Sequence, residues 1–288
     1  MILITGAGGK TGRTLIDALA QHGEVVRAFV RTESHAAQVL AAGAQHAVIG
    51  DLRDGPAVHQ AAQGVRAVYH ICPNMHPDEV AIGRNVIDAA RAATVERFVS
   101  HSVLHPQAEA MPHHWNKLRV EELLFASGLP FTILQPTAYM QNLLAGWRVI
   151  VEHGVYSVPY SPETRISLVD LQDVAAVAVK MLVNAGHLGA TYELAGTAPL
   201  TQTEVAVLLS EELARPVAAE AMPLATWERN ARAAGMEEYA RETLLQMFRY
   251  YERFGLVGNP NVLGWLIGRS PTSLREFMRR HNRLSNQK

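Results

Sequence analysis

The sequence predicts an α/β protein with a doubly wound parallel sheet of the Rossmann type and a smaller, mainly helical C-terminal lobe. Three observations predict it. Short apolar runs alternate with segments of helical spacing through the first half of the chain. Those runs are continuously apolar, as strands buried on both faces must be. A glycine-rich turn stands directly between the first run and the first helical segment. Such alternation gives parallel strands joined by right-handed crossovers, with helices on both sides.

The strands are expected at Ile2–Ile4, Val25–Val30, Ala47–Ile49, Ala67–Ile71, Phe98–Val99 and Phe131–Leu134. Leu15, Ile16 and Leu19 make an apolar stripe that stops before Gly23, and Val80, Val86, Ile87 and Ala90 share a second helical face. After Gln135 the rhythm changes. Residues 136–165, with three prolines, read as loops around one helix. Arg165–Val169 reads as a further strand, followed by a helix over Leu171–Leu182 with Asp170 and Asp173 at its start, where carboxylates suit the helix dipole. Thr191–Leu194 is one more strand. Thr201 and Glu204 form a capping box, with Leu200 and Val205 placed as its hydrophobic staple. The domain expectation is a nucleotide-binding domain over 1–135, with 166–195 returning to it. A discontinuous lobe of 136–165 and 196–288 completes the chain.

Composition narrows the function. Of 288 residues 48% are hydrophobic and 18% charged, so a packed core is easily supplied. A net charge of −1 argues against a nucleic-acid footprint or a polybasic membrane surface. The single cysteine, Cys72, fits a reducing compartment. With no leader pattern and no long apolar run, the expectation is a cytoplasmic protein.

The segment Ile4-Thr-Gly-Ala-Gly-Gly-Lys-Thr-Gly-Arg13 carries the chemistry. Gly6, Gly9 and Gly12 follow a strand and open a helix, the pattern that brings backbone amides and a positive helix end against a pyrophosphate. Gly8, Lys10 and Thr11 belong to the same loop. A Walker A reading fails, because its first glycine would fall on Ile4. At the close of the second strand stands Arg31 where an acid would select NAD, so NADP(H) is favoured and NAD(H) stays open. Glu33 dissents, since it could reach a ribose hydroxyl, and Arg31 could equally be a solvated strand end. Asp51 and Leu52 follow the third strand, where a carboxylate can meet adenine; a plain turn aspartate is the alternative.

With these motifs the block His113-x-x-x-Lys117, Val120-Glu-Glu-Leu-Leu124, Thr137-Ala-Tyr-Met-Gln-Asn-Leu-Leu144 and Ser270-Pro-Thr-Ser-Leu-Arg-Glu-Phe277 resembles the NmrA-like family, the atypical short-chain dehydrogenase/reductases, over nearly the whole chain. The resemblance implies either reduction of quinones, dyes or other conjugated acceptors with NAD(P)H, or dinucleotide binding that senses redox state without turnover. It implies cofactor contacts from the glycine loop, Arg31, Asp51, Leu52, Ile71, Cys72, Pro73, Ser100, Lys117, Pro136 and Tyr139. Substrate contacts would come from Asn74, His101, Ser102, Tyr139 and Asn142. Where the superfamily keeps tyrosine four residues before lysine, this chain has His113 before Lys117, the expected catalytic pair. That departure puts ordinary carbonyl reduction in doubt, and a surface histidine is the alternative for His113. A nucleotide-sugar epimerase is the poorer third reading, because its proton relay needs the tyrosine. Cys72 reads as a packed small residue or a reactive thiol. Trp147 and Trp265 read as pocket lining or core, and the basic run Arg279–Arg283 as a solvated helix end. No metal site is expected, for lack of ligand spacing. The expected partners are a small conjugated acceptor and, among proteins, a second copy or a regulatory partner, with no nucleic acid and no membrane.

Overall fold

The structure, a computed structural model, describes residues 1–285 and the side chains through Asn282. Its first half runs β1 (Ile2–Ile4), α1 (Lys10–Gln21), β2 (Val26–Val30), α2 (Glu33–Ala41), β3 (His46–Ile49), α3 (Gly55–Ala62), β4 (Ala67–His70), α4 (Glu79–Ala92), β5 (Arg97–His101), α5 (Pro112–Phe125) and β6 (Phe131–Pro136). It continues with β7 (Ala138–Tyr139), a 3₁₀ turn (Met140–Gly146), α6 (Trp147–His153), β8 (Val155–Val158), β9 (Leu168–Val169), α7 (Leu171–Val183) and β10 (Ala190–Leu194). The remainder is α8 (Gln202–Leu213), β11 (Ala218–Ala221), α9 (Leu224–Ala233), α10 (Glu238–Phe254), α11 (Pro260–Ile267) and α12 (Leu274–Ser285).

Seven strands form one sheet in the order β10-β6-β5-β4-β1-β2-β3. The ladders from β6 through to β3 are parallel, with Ile4 opposite both Ala28 and Tyr69 and with His70 opposite Ser100. The order reverses between β1 and β4. In such a sheet ligands bind outside the carboxyl ends of the strands at that reversal, where Thr5 to Gly12 and Ile71 to Asn74 leave the sheet.

The chain divides into two compact units, 1–109 with 113–135 and 174–192, and 110–112 with 136–173 and 193–288. In the first, Leu3, Phe29, Val68, Ile82, Val86, Phe98, Val120 and Leu124 pack into one core cluster. Gly83 lets α4 approach α5, since a Cβ there would come within 2.7 Å of the Val120 side chain. In the second unit, Met140, Ile150, Val205, Leu209, Leu274 and Phe277 form a separate cluster. The capping box at Thr201 and Glu204 opens α8 with both of its hydrogen bonds made.

Three expectations are corrected. Residues 165–169 do not add a strand to the main sheet: Leu168 and Val169 pair with β7, and Ile166 makes isolated bridges to Leu200 and Leu256. The segment 136–165 is more ordered than loops around one helix, because β8 finds a parallel partner in β11, far along the sequence. The basic run is not simply solvated. Arg280 pairs with Asp170 at 2.5 Å and Arg279 with Glu212 at 2.9 Å, Asp170 being fully buried. Arg269 likewise meets the buried Asp173 at 2.5 Å. Arg283 lies outside the described side chains. Among the described residues no helix is long and apolar enough to cross a membrane, and no group of three His, Cys, Asp or Glu side chains is placed to hold a metal.

Candidate active site

The glycine loop divides its labour. Gly6 has φ +59°, and a Cβ there would lie 2.5 Å from the Ile71 carbonyl oxygen, so only glycine lets the loop close on the end of β4. Gly12 sits on the Ala7 backbone, 2.6 Å from where its Cβ would be, which seats α1 on the loop. Gly9 is different: a Cβ would meet only the Gly6 carbonyl, at 3.5 Å. Its smallness serves nothing inside the chain. Gly9 also caps α1, which begins with no side-chain cap and no acid in its first turn. The helix thus presents its amide end uncompensated, and a phosphate fits there. Gly8 packs under the His35 ring. Lys10 is exposed and Thr11 half-buried at the same end.

Arg31 is exposed beyond the close of β2, and Thr32 behind it caps α2 by accepting from the His35 amide. Asp51 takes a two-pronged contact from Arg53, with Nη2 at 2.6 Å. That bond, with the Arg53 amide and the nearby Arg31 charge, holds its carboxyl at about 2. Leu52 is turned into the core cluster.

The most densely organised polar group surrounds Lys117. His113 and Lys117 lie one turn apart on α5, so their side chains share a face. Both meet Glu79, the first residue of α4, which is 1% exposed. Lys117 Nζ lies 2.6 Å from Glu79 Oε1, and His113 Nδ1 lies 3.5 Å from Oε2. Lys117 also donates to the His101 carbonyl at 3.3 Å, which ties the group to the end of β5. Burial opposes the charge on Glu79, but the Lys117 ammonium and the His113 contact outweigh it and keep the carboxyl at about 2. The ring of His101 shares a 2.7 Å hydrogen bond with the Tyr69 hydroxyl, and His70 Nδ1 lies 2.8 Å from Thr5 Oγ1. Burial, reinforced by the Lys117 charge, pushes His70 and His101 down to about 3. His114, buried with Nδ1 on the His105 carbonyl, is held at about 3 by burial and by His113.

Two of the expected substrate contacts are engaged inside the unit: His101 is 5% exposed with its ring on Tyr69, and Ser102 donates to the buried Glu121. Gln135 Nε2 completes that arrangement at 2.9 Å from Glu121, whose carboxyl burial pushes up. Cys72 is a packed thiol, buried beside Glu79, and burial drives its pKa upward, so the reactive-thiol alternative falls. Ser100 is buried within β5. Ile71, Pro73 and the exposed Asn74 continue from β4. Pro136, Tyr139 and Asn142 belong to the second unit, where Pro136 is buried, Tyr139 half-buried and Asn142 exposed. Trp265 is 75% exposed, and Trp147 meets the His281 ring edge-on at 4.8 Å.

Sequence reasoning missed Glu79. Two signals were present: an acid opening a helix, and Gly83 one turn later inside an apolar pattern, which marks close helix packing.

A parallel sheet with a glycine loop open to phosphate at its reversal defines a dinucleotide-binding protein of the Rossmann class. The NmrA-like family model matches residues 1–281, and this chain belongs to that family. It is 31% identical to an NAD(P)H azoreductase of Xenophilus azovorans, over 98% of both chains. Quinone oxidoreductase 2 of Escherichia coli (strain K12) is 30% identical over 96% of each. The crystal structure of an NADPH-dependent quinone oxidoreductase from Escherichia coli, in complex with NADPH, superposes with a TM-score of 0.84 at 29% identity, covering 97% of this chain and 99% of that one.

Proposed function

We propose that this chain transfers hydride from NADPH to a flat, conjugated acceptor, a quinone or an aromatic compound of like electron demand. That it is an oxidoreductase follows from relatives so named over nearly its whole length. The observation that carries the reading is Gly9, the loop glycine that nothing inside the chain requires to be small. The amides of Lys10, Thr11 and Gly12 take the pyrophosphate, and Arg31 takes the 2′-phosphate. Lys117 holds the ribose hydroxyls beside the nicotinamide. When bound, NADPH supplies a hydride from its nicotinamide ring.

The chain's own work is then binding, aim and one proton. A quinone that has received hydride is a resonance-stabilised phenolate, and it needs one proton to become the hydroquinone. No strong acid is required for that late step, so His113 or water suffices. The reading assigns that proton to His113, which lies one turn before Lys117 on the same face of α5 and meets Glu79.

The test is direct. The protein, mixed with NADPH and a small quinone, should consume the near-ultraviolet absorbance of NADPH. Lys117→Ala should raise the apparent cofactor constant and slow turnover, and His113→Ala should cost about tenfold or less. Tight NADPH binding with no oxidation across quinones, dyes and enones would favour a redox sensor instead, the reading to which the missing tyrosine leads.

A further inference from the structure

The mechanism above uses Lys117 and His113 and leaves the buried carboxylate between them without a task. Glu79 is more than a cap. It is 1% exposed, and both of its oxygens are directed at functional side chains of another helix. The contact depends on a designed approach: Gly83, one turn beyond Glu79, admits Val120, and Val120 stands one turn from Lys117. A buried ammonium with its counter-charge removed loses either its proton or its place. A histidine faced through one nitrogen by a carboxylate is fixed in ring orientation and favoured as imidazolium, and its other nitrogen becomes the one that exchanges. His113 Nδ1 is withdrawn from solvent against Glu79. The titratable groups facing this cluster are Lys117 one turn on, the His114 ring edge at 5.9 Å, His70 and Cys72 from the end of β4, His101 from β5 and Asp78 beside Glu79.

We propose that Glu79 is the positioning residue of this site, holding Lys117 as an ammonium for the cofactor ribose and His113 in the orientation that leaves Nε2 to deliver the proton. The inference rests on the reductase reading for its second half only. In that half the hydride and its electron pair pass from the dihydronicotinamide to the quinone, and the resulting phenolate oxygen takes the proton from His113 Nε2. The neutral imidazole then regains a proton from water, with Nδ1 kept turned toward the Glu79 carboxylate 3.5 Å away.

Two variants test it: Glu79→Gln keeps shape and removes charge, and Glu79→Asp keeps charge and shortens the reach. Calorimetry with NADPH and no acceptor reads the Lys117 half. Glu79→Gln should weaken binding about tenfold, and Glu79→Asp should lie closer to wild type. Turnover of a small quinone as a function of pH reads the His113 half. The alkaline fall of kcat should move about one pH unit lower in Glu79→Gln and return toward wild type in Glu79→Asp. A structural role would lower stability in both variants and leave the shape of the pH profile alone. Glu79→Gln with wild-type NADPH affinity and a superimposable profile overturns the proposal. So does a folded Glu79→Asp that behaves as badly as Glu79→Gln. If the Gln variant does not fold, Glu79→Asp carries the comparison: NADPH affinity and pH profile near wild type support the proposal, and a folded Glu79→Asp that loses both overturns it. If wild type turns over no quinone, the reductase reading has failed. The calorimetric arm, which needs no acceptor, still decides whether Glu79 holds Lys117 for the cofactor.

Discussion

Lowering the pH from about 7 to about 5 should cost this protein an unusual share of its stability, through three histidines. His70, His101 and His114 are 2%, 5% and 0% exposed, and burial holds each near 3. Their folded-state pKa values lie below the unfolded value of about 6.5, so they add stability that is complete above that value. It drains away as pH falls toward the folded value, because the unfolded chain takes up protons that the folded chain refuses. Each histidine should lose about 2 kcal/mol between pH 7 and 5, and the three together about 6. That compares with roughly 5–15 kcal/mol for a whole domain. Two carboxylates stay out of this window, and Glu121, pushed up by burial, works against the loss within it. Glu79 and Asp51 are held at about 2, so the stability they contribute is present above about 4.5 and is lost only below it. His187 and His281, also lowered by burial, add in the same direction. Urea unfolding followed by circular dichroism at half-unit steps of pH gives the slope. His114→Gln should remove about a third of it. A total loss under about 1 kcal/mol would mean that these rings take up protons in the folded state, and the buried neutral cluster described above would be wrong.

Two further outcomes follow from the cofactor end. Gly9→Val should leave melting nearly unchanged yet abolish NADPH binding by calorimetry, while Gly12→Ala should lower melting because its Cβ falls 2.6 Å from the Ala7 backbone; the opposite pattern would mean the loop is shaped for packing alone. Arg31→Ala should weaken NADPH by about ten- to a hundredfold and NADH hardly at all, the worth of a charge-assisted phosphate contact, and equal losses in fluorescence titrations would assign Arg31 no part in cofactor choice.

What was legible in the sequence was local. Gly6, Gly9 and Gly12 announce the loop because a turn, a close approach and a helix start all occur within a few residues. His113 and Lys117 announce a shared face because helical spacing puts them there. Thr201 and Glu204 announce a cap for the same reason. What depends on chain segments far apart was not legible. Nothing near Val155 states that it will pair with Ala218, and nothing near Arg280 states that it will meet Asp170. His101 and Ser102 were expected to meet substrate because they close a strand at the sheet's carboxyl end, where ligands bind. Tyr69 and Glu121, which turn them inward, come from other elements.

Glu79 shows why the residue at 113 had to be read with its neighbours. A lone lysine one turn from a phenol favours the phenolate, and that is how a Tyr-x-x-x-Lys pair makes its acid near neutral pH. Here the Lys117 charge is met at 2.6 Å by a buried carboxylate, so much of its influence on a neighbour is cancelled. A phenol at 113 would instead face the second oxygen of Glu79, and a carboxylate opposes the ionisation of a phenol beside it. Imidazole reverses that sign: it is cationic when protonated, so the carboxylate that would hinder a tyrosine favours a histidine. On the function proposed above, the histidine at 113 and the burial of Glu79 act as one electrostatic arrangement, suited to giving up a single late proton.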